Sequence, residues 1–122
     1  MPIRAKRLAE YCEDRLGKGL RAVGYHSEDK IELAYIRDDL KSEYPADRVE
    51  KFISASRAVH RDVETMDQNM GTPEASLHML QEGLILQFHF TGEDVVFVSM
   101  DRDVGRNLTR FIRECIDEMG SE

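Results

Sequence analysis

Residues 75–100 place the tightest constraint on what this chain can become. Ala75–Gln81, Leu84–Phe90 and Val95–Met100 are three strand-length apolar runs, separated only by Glu82-Gly83 and by Thr91-Gly92-Glu93-Asp94. Connections this short join neighbouring antiparallel strands, and a Gly in each suits the positive φ of a tight hairpin. Turns centred there predict Met79 opposite Leu86, Leu77 opposite Phe88, and Phe88 opposite Phe97. Leu84, Leu86, Phe88 and Phe90 then line one face, while Ile85, Gln87 and His89 line the other with Val96, Val98 and Leu80. Both faces are substantially apolar, so both have to be covered by other parts of the chain.

Helices are available for that purpose. From Arg4 to Leu16, Leu8, Cys12 and Leu16 recur at i, i+4 beside Ala5 and Ala9, and Gly17 and Gly19 end the run. Leu20–His26 and Ile31–Arg37 read as two strands around the polar turn Ser27-Glu28-Asp29-Lys30, and Asp38-Asp39 stops the second. Pro45 and Asp47 then open a long helix. Val49, Phe52, Ile53, Ser56, Val59, Val63 and Met66 keep helical spacing over about five turns, His60 and Met70 extend the apolar side, and Gly71-Thr72-Pro73 breaks it. A last helix is expected behind Asp101 or Asp103 as N-cap, with Val104, Leu108, Phe111, Ile112, Cys115 and Met119 as its buried stripe. The order is α-β-β-α-β-β-β-α, an α+β arrangement. At 122 residues the chain is expected to form a single domain over 1–122.

Charge narrows the function. There are 17 basic and 24 acidic side chains, a net −7, which excludes wholesale electrostatic binding of nucleic acid but not a local basic patch. Arg outnumbers Lys by 12 to 5, and abundant carboxylate with scarce Lys suits solubility in concentrated salt. No apolar run approaches the roughly 18 residues of a membrane-spanning helix. Met1–Arg7 lacks the apolar stretch of a secretory signal, so a cytoplasmic protein is expected. Cys12 and Cys115 are too few for a disulfide framework and are expected to be buried free thiols.

Candidate chemistry is sparse. The expected register sets His78 and His89 diagonally on one face beside Ser76 and Gln87, but no carboxylate or thiol joins them to complete a zinc site. His60-Arg61-Asp62 matches a kinase tripeptide without any other kinase element. His60 and Glu64 make a helical pair without a third ligand, and Asp38, Asp39 and Glu43 read as solvated charge. No phosphate-binding glycine loop, dinucleotide glycine pattern or nucleophile elbow occurs. No catalytic, cofactor-binding or metal-ligating residue is therefore assigned, and a non-enzymatic role is expected.

The order of elements resembles the roadblock / dynein light chain superfamily, a profilin-like fold. That resemblance implies a five-stranded antiparallel sheet between the two terminal helices and one long central helix. It also implies a homodimer formed by helix Ala46–Met66 and strand Ala75–Gln81, acting as a platform for small GTPases or other signalling partners. The residues support self-association independently, because Ala75–Leu80 has no Lys or internal Pro to protect it at a sheet edge. Phe52, Ser56, His60, Val63 and His78 are the expected contacts. A second resemblance, to small acidic haloarchaeal proteins of unknown function, is carried by segments such as Tyr35-Ile36-Arg37-Asp38-Asp39-Leu40 and Val98-Ser99-Met100-Asp101-Arg102-Asp103-Val104. It implies a habitat rather than an activity. On the terminal helices Arg4, Arg7, Arg106, Arg110 and Arg113 form a candidate patch for an anionic partner, interleaved with Glu10, Asp14, Glu114 and Asp117. Two further readings stay open: a profilin- or PAS-like sensor with a small molecule against the meander, and a nucleic-acid-associated regulator using the Arg-bearing helices. The second is weakened because Tyr11 alone could stack on a base.

Overall fold

The computed structural model describes residues 2–27, 30–42, 44–66, 68–90, 94–104 and 106–120. The elements are α1 (Ile3–Leu16), β1 (Leu20–Ser27), β2 (Lys30–Ile36), α2 (Ala46–Glu64), β3 (Ala75–Met79), β4 (Gly83–His89), β5 (Val95–Asp101) and α3 (Leu108–Met119). All five strands join one antiparallel sheet in the order β2-β1-β5-β4-β3, leaving β2 and β3 as edges. The expected α+β layering is the one observed. Leu8 and Cys12 of α1 and Phe111, Cys115 and Met119 of α3 pack on Leu20, Val23, Leu84, Leu86, Phe88, Val96, Val98 and Met100. On the opposite face, Ile53 of α2 packs on Val95 and Phe97.

The pairing of β1 explains how its residues reach the right side. Leu20 pairs with Met100 but Ala22 pairs with Ser99, so Arg21 is an extra residue in β1. Such a bulge turns the strand by one residue, and it brings Leu20 and Val23, three apart, into one core. Further along, Gly24 pairs with Phe97. A Cβ at Gly24 would collide with the Phe97 ring, so glycine is required by the ring lying against the strand.

Several expectations are corrected. The β3–β4 turn sits at Gln81-Glu82, where the Leu80 N–H donates to the Gly83 carbonyl at 2.8 Å. Gly83 does not have a positive φ; Gly92 lies outside the described residues. Moving the turn by one residue changes every cross-strand partner. Met79 thus opposes Leu84 and Leu77 opposes Leu86, with their faces unchanged; separately, the β4–β5 pairing differs by one residue, so that Phe88 opposes Val96. Val96 and Val98 therefore share the α1–α3 face with Leu84, Leu86 and Phe88, and Val95 and Phe97 take the α2 face instead. α2 ends at Glu64, and Met70 belongs to a separate 3-10 turn, Gln68–Met70. α3 begins behind Asn107 rather than behind an Asp cap. Asn107 adopts a left-handed conformation (φ 49°) and makes no side-chain cap bond, a conformation that Asn tolerates better than most residues. Asp101 ends β5, and Asp103 lies in a 3-10 turn, Arg102–Val104. Glu43 and the side chain of Val104 lie outside the described residues.

Candidate functional site

The layer between α2 and the sheet holds most of the polar side chains singled out in the sequence. α2 has apolar residues at 49, 52, 53, 59 and 63 in helical register with Ser56, but only Ile53 among its described residues is fully buried. The helix thus lies shallowly on the sheet. Ser56 donates a hydrogen bond from Oγ to Gln87 Oε1 on β4. Phe52 meets His78 of β3 edge to face, with ring centroids 4.9 Å apart. His60 stacks on His89 of β4 at 4.0 Å, the planes within 15°. His60 Nε2 also lies 3.5 Å from Glu64 Oε1.

His78 and His89 are therefore not the diagonal pair expected. His78 pairs with Ile85, and His89 is four residues further along β4, about 13 Å at strand rise. Each has instead found an aromatic partner on α2. Among the described residues, no group of three or more His, Cys, Asp or Glu could hold a metal ion. Burial, reinforced by His60 and Arg57, pushes the His89 imidazole down to about 4, so the ring is neutral at ordinary pH. Its Nε2 and the Gln87 Nε2 are buried without a hydrogen-bond partner among the described residues.

Of the five expected self-association residues, Phe52, Ser56 and His60 thus reach the chain's own sheet. Val63 remains exposed, at 43%, and His78 is exposed at the edge strand. One flank of α2 passes from contact with the sheet to open surface. Phe52, Ser56, Val59 and Val63 recur at i, i+4, i+7 and i+11 and so run in one line down the helix. The Phe52–His78 contact sets that line on the β3 side. Beyond Ser56 the line becomes free surface, with Val59 at 61% and Met66, in the following turn, at 76% exposure. Beside it, β3 exposes Leu77 and Met79, and Leu80 is exposed just beyond it. Leu77 and Met79 pair with core residues Leu86 and Leu84, so they project to the α1–α3 side and carry the apolar surface around the sheet edge. Val59, Met66, Leu77 and Met79 are absent from the expected contact set. Their signal is in the spacing: the stripe on α2 is wider than one sheet can cover.

The Arg residues of the terminal helices are largely engaged. Arg4 lies over the Phe90 ring at 4.0 Å, Arg113 binds Glu74 at 2.8 Å, and Arg110 lies 3.8 Å from Glu114. Arg15 also reaches Glu114, at 3.5 Å. Arg7 approaches Gly120 at the end of α3, and Arg106 is exposed ahead of that helix. Shared carboxylates mute the positive field of such a surface. Cys12 and Cys115 are buried free thiols in the α1–α3 core. No helix among the described residues is long and apolar enough to cross a membrane.

A family described as a domain of unknown function, DUF7522, matches residues 6–120. No curated protein matches the sequence. Among solved structures, the gliding protein MglB from Thermus thermophilus superposes with a TM-score of 0.65 at 10% identity, covering 98% of this chain and 88% of that one. A structure described as MglB with a tetrameric arrangement gives 0.57 at 11% identity, covering 95% of each chain. At such identities the likeness is one of fold, and it is the roadblock-type fold that the element order resembled.

Proposed function

The chain belongs to this DUF7522 family, and we propose that it is a non-enzymatic homodimeric interaction module of roadblock type, a scaffold for a signalling or small-GTPase partner. One observation carries the self-association: apolar side chains are exposed both on the β3-side flank of α2 and along the unprotected edge strand β3. Val59, Val63 and Met66 on one side and Leu77, Met79 and Leu80 on the other are all exposed in the single chain. An apolar surface beside open backbone hydrogen-bonding groups is what a two-fold partner covers. The tetrameric arrangement described for one MglB structure is in keeping with assembly through this fold. The Arg and carboxylate surface of α1 and α3 lies on the other side of the sheet from α2, which leaves it for a second protein. The excess of carboxylate over Lys supports a protein that works in concentrated salt; a cytoplasmic setting in a salt-loving archaeon is what the resemblance to small acidic haloarchaeal proteins implies.

Light scattering in molar KCl tests the dimer. The expected mass is twice 14.1 kDa, and Val59→Asp with Val63→Asp should return it to the single-chain value without loss of helix signal. A wild-type monomer at micromolar concentration would refute self-association. Cross-linking in cells followed by mass spectrometry tests the scaffold role; recovery of the protein with itself alone would count against it.

A further inference from the structure

Between the N-terminal half of α2 and strands β4 and β5 lies a cavity of 410 Å³. This is within the range of about 300–1,000 Å³ typical of small-molecule sites, at its lower end. Val49 and Phe52 roof it, and Ile85, Gln87 and Phe97 form part of its floor. The space has a cause in the fold. α2 lies shallowly on the sheet, and the Phe97 ring lies down against Gly24 instead of rising to fill the gap.

Gln87 gives this cavity a chemical preference. It is fully buried and sits on the floor of an otherwise mainly apolar wall. Its Oε1 is engaged by Ser56, which fixes the amide so that Nε2 is the remaining group. That nitrogen is closed off in the structure and has no partner among the described residues, so a guest meets it where the side chains lining the cavity give way. A buried donor left unpaired costs on the order of a hydrogen bond, and an acceptor brought in by a guest removes that cost.

We propose that this cavity binds a small, largely apolar molecule carrying a carbonyl or hydroxyl oxygen at its inner end, held by the Gln87 amide. The site lies under α2 rather than on its exposed flank, but Phe52 and Leu80 line it and also belong to the surface proposed for self-association, so the test has to separate the two.

The test is an NMR titration of the ¹⁵N-labelled protein with acetophenone and with ethylbenzene, which have nearly the same shape and differ in one acceptor oxygen. Acetophenone is expected to bind more tightly by roughly fivefold, the ratio that one neutral hydrogen bond gives, and to shift the Gln87 side-chain amide. Gln87→Leu should remove that preference while ethylbenzene binding persists. Ile85→Trp, which fills the cavity, should abolish both. Absence of shifts at millimolar probe, equal affinities in the wild type, or a preference that survives Gln87→Leu would each overturn the proposal. So would binding seen only after Val63→Asp breaks the dimer, because a second copy would then be the occupant. Should Ile85→Trp fail to fold, the wild-type and Gln87→Leu titrations still decide.

Discussion

Acidification should loosen this protein through His89. The ring stacks on His60 at 4.0 Å with Nε2 buried and unpaired among the described residues. Burial, then the neighbouring His60 and Arg57, hold it at about 4 against an ordinary 6.5. A histidine whose pKa is lowered by folding is protonated first in the unfolded chain. Its contribution is therefore whole above about pH 6.5 and is lost progressively as pH falls toward 4. Each pH unit in that window costs at most about 1.4 kcal/mol. Between about pH 7 and pH 5 the loss is then at most about 2 kcal/mol, and solvent screening of a half-buried ring lowers it, which is still a sizeable part of a small domain's total of about 5–15 kcal/mol. Urea denaturation at about pH 7, 6 and 5 measures this directly, provided the slope with urea stays constant. His89→Phe keeps a flat ring under His60 and removes the titrating group, so its stability should vary less over the same window. Carboxylates titrate in both proteins and cancel in the comparison. Parallel pH profiles for wild type and variant would refute the reasoning.

Three other perturbations follow from the fold. Gly24→Ala should destabilise by about 1–3 kcal/mol, because the new methyl displaces the buried Phe97 ring; chemical denaturation checks it, and an unchanged midpoint would count against the close approach. Arg37 binds Asp39 through two nitrogens at 2.7 and 3.2 Å, and Asp101 and the Lys18 carbonyl at 2.9 Å each. Arg37→Lys cannot reproduce that fork and should lower Tm by a few degrees in calorimetry. With a net charge of −7, raising KCl from about 0.1 M to about 2 M should raise Tm through screening of self-repulsion, and a Tm that falls would show that specific ion pairs dominate.

Much of the architecture was legible because apolar spacing reports element type directly. The stripe Leu8, Cys12, Leu16 marked α1, and the short connectors marked the meander. Register was not legible, because it depends on where a turn closes, and Gly83 attracted the turn on paper while Gln81-Glu82 forms it in the molecule. A separate one-residue slip, in the β4–β5 pairing, sent Val96 and Val98 to the wrong face. The candidate site was half legible. Phe52, Ser56 and His60 were identifiable as important on α2, but their spacing does not say whether they meet the chain's own sheet or another. The cavity was invisible in the sequence, since it arises from three remote facts: a glycine in β1, a ring in β5 and a shallow helix between them and solvent.

The strand order has a consequence for how the chain acquires its structure. β5 is inserted between β1 and β4, so residues 20–26 wait for residues 95–100 before their inner edge is paired. During synthesis the first hairpin and α1 emerge with one apolar side and one open edge, and the strand that closes both arrives near the end. Contacts so distant along the chain slow folding relative to a helical protein of equal size. An emerging chain with an unpaired edge is also prone to pair with another copy.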